Sequence, residues 1–158
     1  MNNFLTWVDS SALHDWVNLT PWVFPTMEII HFTGLSILFG SLLVVDLRVA
    51  GFARFINMRD AMKFIPWAMA GFTLNLLSGI TLFAWSPFTY AGNVGFQWKM
   101  GIIFIAGLNA LWFWFGEHNK LINLADGEQA PVSAKVIAIV SLLLWLIVIS
   151  VARWMAFL

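Results

Sequence analysis

The chain has no cysteine among its 158 residues, which excludes disulfides, iron–sulfur ligation and thiolate metal sites and leaves the redox compartment open. Charge is scarce as well. Only 10% of the residues are charged, with eight Lys plus Arg against eight Asp plus Glu, so no global field selects nucleic acid or an anionic substrate as partner. The first twenty residues hold no Lys or Arg and are interrupted by Asp9 and Asp15. They therefore lack the basic region of a cleavable signal and are expected to stay on the protein. No internal repeat and no low-complexity tract is evident.

Apolar residues dominate what remains. The composition is 61% hydrophobic and 16% aromatic with a mean hydropathy of +0.84, far from an ordinary soluble domain and expected of an integral membrane protein whose first partner is the lipid bilayer. Ten Trp residues suit aromatic belts at the two membrane surfaces better than catalysis. Residues 1–20 read as a short amphipathic surface helix, with Leu13, Trp16 and Val17 on one face and Ser10 or Ser11 as N-cap. Residues 21–158 read as one all-α domain, a membrane four-helix bundle with spans at about 22–45, 65–85, 97–116 and 136–157.

The basic residues are placed asymmetrically. Arg48, Arg54, Arg59 and Lys63 crowd the first connection, Lys120 and Lys135 flank the third, and the loop SPFTYAGNVG between the second and third spans has no charge. The positive-inside rule then puts both termini on the outer side, which is the periplasm for a bacterial inner (plasma) membrane. Small residues on the first three spans, among them Gly34, Gly40, Gly71, Gly101 and Gly107, are expected at close helix approaches, with sequential helices as antiparallel neighbours.

Polar residues inside the apolar stretches are the functional leads. Glu28 and His31 lie three apart and share one helical face, roughly 9 Å and 13 Å from the outer surface at about 1.5 Å per residue. Arg153 falls at a depth comparable to Glu28, Lys99 starts the third span at the same surface, where it can snorkel outward or reach inward, and Asn75 and Asn109 lie near mid-membrane. Intramembrane ionisable groups face a bundle interior, a cavity, a cofactor or a partner. One reading makes this set structural: Glu28 paired with Arg153 or Lys99, and Asn75 and Asn109 as interhelical hydrogen bonds. The other makes it a cofactor-binding set of His31, Glu28, Asn75, Asn109, Lys99 and Arg153, with His31 as ligand to a haem b iron or as contact to a quinone, or a proton path.

A bis-histidine haem lacks its second imidazole, because His118 lies past the inner end of the third span and His14 on the surface segment. A di-iron site lacks a second Glu-x-x-His pair. No Ser-His-acid set lies at one depth, so the chain is not expected to be an enzyme on its own. Asp46 and Arg48 read as topology anchors, and Glu117, His118 and Lys120 are expected in water.

His31, Gly34, Gly40, Asp46-Leu47-Arg48 and Gly51, followed by Gly71-Phe72, Ser78-Gly79, Leu82-Phe83, Phe96, Lys99 and Ala106-Gly107-Leu108-Asn109, resemble a family of small bacterial four-helix inner-membrane proteins of unknown function. The plan is also loosely similar to the four-helix membrane modules of copper-resistance proteins and cytochromes, which implies a redox role by analogy. In that family a histidine often follows the Asn-containing motif. Here the position is Trp114, leaving His31 as the matched ligand residue. The expected function is an accessory or electron-transfer subunit working with other membrane subunits or as a homo-oligomer. Alternatives are a structural or assembly subunit and an oligomeric proton or small-solute conductor.

Overall fold

The structure, a computed structural model, describes residues 2–124 and 128–157. Among these there is no strand, and the fold is all-α. Four helical stretches are long and apolar enough to cross a membrane, Val23–Ala50, Met58–Trp85, Val94–Ile122 and Val132–Trp154.

Two short helices precede the first span, α1 (Asn2–Asp9) and α2 (Ala12–Leu19). The break between them arises because Ser11 leaves the helical region and its hydroxyl accepts from the His14 N–H at 3.2 Å, an N-cap. Leu5, Val8 and Val17 are buried while Phe4, Trp7 and also Trp16, expected on the same face as Val17, are exposed, and the segment forms two helices instead of one. It is also tied to the bundle. His14 Nδ1 lies 2.8 Å from the Ala84 carbonyl, and the Asn18 amide donates to the Trp85 carbonyl at 3.2 Å. These carbonyls end the second span and have no partner within their own helix.

The first span, α3 (Val23–Ala50), continues five residues beyond its expected end. Asp46 and Arg48 do not stop it; Gly51 does. This residue adopts φ +96°, its N–H donates to the Arg48 carbonyl, and the Phe52 N–H donates to the Leu47 carbonyl, a left-handed cap that favours glycine. A short helix, α4 (Met58–Met62), then leads to α5 (Ile65–Trp85), whose bounds are those expected, with Pro66 in the first turn. The uncharged loop contains another short helix, α6 (Pro87–Gly92). Next, α7 (Val94–Trp112) passes through a π-helical turn at Phe113–Glu117 into α8 (His118–Ile122). The third span therefore reaches six residues further than expected, because the π turn absorbs an extra residue without ending the helix. The connection after it, 123–135, was expected to be polar; its residues 125–127 lie outside the described residues. Finally α9 (Val132–Trp154) begins four residues early, after Pro131.

Packing order departs from sequence order. The helices α3 and α5 approach most closely, α9 packs against both α3 and α7, and the sequential pair α5 and α7 makes no comparable backbone approach. Leu38, Ala68, Ala106, Trp145 and Val148 form a central cluster drawn from all four spans. A second cluster at the basic end joins Val45, Val49, Met58, Met62 and Leu121 to Ala130, Ala134 and Ala138. Around them the spans expose large apolar side chains such as Phe32, Ile80, Phe104, Leu111 and Leu143, the outside of a bundle whose solvent is lipid. The chain is a multi-pass membrane protein by this length and composition.

Candidate functional site

The α3–α5 seam explains where His31 sits. Gly34 and Gly71 face each other so closely that a Cβ on Gly71 would fall 2.5 Å from the Leu38 nitrogen and 2.8 Å from the Gly34 carbonyl oxygen. Only glycine permits this approach. Toward the terminal end, one turn further on α3 and two turns further on α5, the same two faces present His31 and the pair Ser78-Gly79, and His31 Nδ1 lies 3.0 Å from Ser78 Oγ. That oxygen is 2.6 Å from the Leu74 carbonyl, to which the hydroxyl donates, so it accepts from Nδ1–H. The tautomer follows: Nδ1 carries the proton and Nε2 keeps a lone pair. Asn75 adds a second tie by donating to the His31 backbone carbonyl at 2.8 Å. A Cβ at Gly79 would sit 3.3 Å from the imidazole Cε1, so the ring is packed against that glycine.

Lys99 approaches the imidazole from α7, close enough to act on it electrostatically. It forms no hydrogen bond or ion pair among the described residues. Toward the terminal surface, Phe83, Tyr90 and Phe96 make a small aromatic stack between α5 and α7, with the Phe83 and Phe96 ring centroids 5.5 Å apart and Tyr90 5.8 Å from Phe96. Tyr90 lies outside the spans. Burial pushes its phenol above the ordinary tyrosine value, and the nearby Glu28 carboxylate adds to the effect.

The remaining sequence candidates are dispersed. Glu28 is exposed on the outside of α3 and forms no ion pair with Arg153 or Lys99. Arg153 is exposed and lies over the Phe157 ring, 5.8 Å from its centroid. Asn109 donates to the Ile137 carbonyl at 3.2 Å and joins α7 to α9. Asn75 and Asn109 thus act as interhelical hydrogen bonds, Asn75 also holding the His31 turn. Of the six cofactor-set residues, the structure brings together His31, Lys99 and Asn75 only. No group of three or more His, Cys, Asp or Glu placed to hold a metal ion occurs among the described residues, so His31 has no companions for a protein-only metal centre; a haem iron would need just the one imidazole.

Two buried acids are the residues that sequence reasoning placed in water or at the surface. Asp46 is 4% exposed, faces Ser141 of α9, and its Oδ2 has no hydrogen-bond partner. Glu117 is also 4% exposed. The π turn directs it inward, where one oxygen accepts from Lys120 Nζ at 3.1 Å and Oε2 has no partner. His118 stacks on Trp114 at 4.4 Å instead of standing free. Three glycines expected at close approaches, Gly40, Gly101 and Gly107, have nothing within reach of an added Cβ. Spacing offered one usable signal for the seam: Gly71, Asn75 and Ser78 share a face, as do His31, Gly34 and Leu38.

No family model, curated protein or solved structure matches the chain.

Proposed function

We propose that the chain is a membrane-embedded accessory or electron-transfer subunit in which His31 contacts the head group of a quinone. The observation that carries this reading is the fixed imidazole. Ser78 holds Nδ1–H, so Nε2 accepts a hydrogen bond, while the unpaired Lys99 ammonium nearby donates one. An acceptor and a nearby cationic donor suit a quinol hydroxyl and a quinone carbonyl respectively, and the cation favours the reduced, oxygen-centred anion. The Phe83, Tyr90 and Phe96 stack supplies flat apolar surface close by. We place the protein in a bacterial inner membrane with its termini outside, a reading supported by the basic residues gathered at the opposite end.

The test is titration of the protein in mild detergent with a short-chain benzoquinone, followed by tryptophan quenching, together with a reduced-minus-oxidised visible spectrum. Saturable quenching is expected, weakened at least tenfold in His31→Ala and Lys99→Met and unchanged in Asn109→Ala. Equal quenching in all variants would remove the proposal. A sharp haem alpha band that disappears in His31→Ala would replace quinone by a single-histidine haem.

A further inference from the structure

At the opposite end of the bundle from His31, where α3 ends and α9 begins, the chain encloses a cleft of about 190 Å³ lined by Arg48, Arg54, Lys135, Gln129, Glu128 and Gly51, among others. Three cations face one carboxylate there. A cleft of this size holds several water volumes at roughly 30 Å³ each, enough for a phosphate group with its ester oxygens.

The basic side chains are held in place. Arg48 is only 8% exposed, and its Nε donates to the Ile56 carbonyl, which fixes the guanidinium plane. The Arg54 Nε donates to the Gly51 carbonyl at 2.9 Å, and Lys135 Nζ donates to Gln129 Oε1 at 2.9 Å. In each case a neutral oxygen orients the cation, and with Glu128 as the one carboxylate against three cations the cleft keeps a net positive charge. Guanidinium forks match phosphate oxygens in pairs, and a lysine adds a point charge. The level matters equally. This cleft opens at the end of two spans, where the apolar zone gives way to head groups, and on the side that carries the basic connection. Basic pockets between spans at that level suit anionic head groups.

We propose that this cleft binds a phosphate group, and that the phosphate is carried by an anionic phospholipid of the leaflet on the basic side. The site is independent of the His31 reading and does not share a residue with it.

The experiment uses the full chain in zwitterionic detergent–phosphatidylcholine micelles, with phosphatidylglycerol as probe, read by native mass spectrometry and by the thermal midpoint. Phosphatidylglycerol is expected to remain bound and to raise the midpoint, where added phosphatidylcholine does neither. In Arg54→Gln/Lys135→Gln affinity should fall by roughly fivefold per charge, or roughly twenty-five-fold for the pair. These two residues are chosen because neither is deeply buried, and an unchanged midpoint in phosphatidylcholine alone shows that the variant folds. Inorganic phosphate that reproduces the stabilisation without phosphatidylglycerol would support the phosphate site and overturn the lipid as its source. Equal retention of phosphatidylglycerol by the parent and the double variant, or no preference over phosphatidylcholine, would overturn the site.

Discussion

Single side chains in this protein are governed by what lies opposite them, and two can be read directly. Tyr90 is the only tyrosine in the chain, so its ionisation is visible without interference. Burial and the Glu28 charge favour the neutral phenol, which means tyrosinate absorbance should appear above the ordinary tyrosine range. Glu28→Gln should bring it back toward that range, whereas an unmoved titration would separate Glu28 from Tyr90. The sign for stability follows. The raised value leaves the fold unaffected below the ordinary tyrosine pKa, and stability falls as pH climbs from there through the raised value, because the unfolded chain ionises first. Asp46 gives the second case. Its buried, unpartnered oxygen costs roughly 1–3 kcal/mol, and Asp46→Asn removes the buried carboxylate charge with little change of volume. The thermal midpoint should rise by roughly 2–4 °C for about 1 kcal/mol recovered; a clear fall would mean that the carboxylate itself is used.

At the level of helices, the α3–α5 seam sets the site and the other contacts adapt to it. Adding one methyl at Gly71 drives it into backbone atoms of α3 that cannot yield. Gly71→Ala should therefore destabilise by about 1–3 kcal/mol or more, and it should also disturb the His31–Ser78 bond two turns along α5. Gly107→Ala is the matched contrast, because its Cβ meets nothing and alanine favours a helix by about 0.5–1 kcal/mol over glycine. Thermal unfolding of the two variants should move in opposite directions, and a shared direction would contradict the seam. The π turn at Phe113–Glu117 acts similarly at the basic end. It keeps the third span continuous to Ile122 while rotating Glu117 inward and bringing Leu121 into the core.

For the molecule as a whole, topology is the property most open to test, and the absence of cysteine makes the test clean. Thr89→Cys on α6 and Ser133→Cys at the start of α9 place one thiol at each end of the bundle, both exposed. With the termini outside, a membrane-impermeant maleimide should label Thr89→Cys in intact cells and Ser133→Cys only after permeabilisation; the reverse pattern would invert the orientation. Hydropathy alone determined the number of spans, and for α5 also its bounds, because about 20 apolar residues are needed to cross a bilayer wherever they occur. The expected asymmetry of Arg and Lys likewise rests on sequence alone. Which way each helix turns was decided only by the tertiary structure. Glu28 and His31 share a helical face by spacing, yet one is exposed and the other reaches Ser78. Gly71 and Gly107 look alike in the sequence, yet one is in contact and the other is open. The physical reason is that these spans are apolar all round. Lipid and bundle interior attract such a surface equally, so no periodic pattern marks the inner face, and rotation is chosen by close backbone fit and a few interhelical hydrogen bonds.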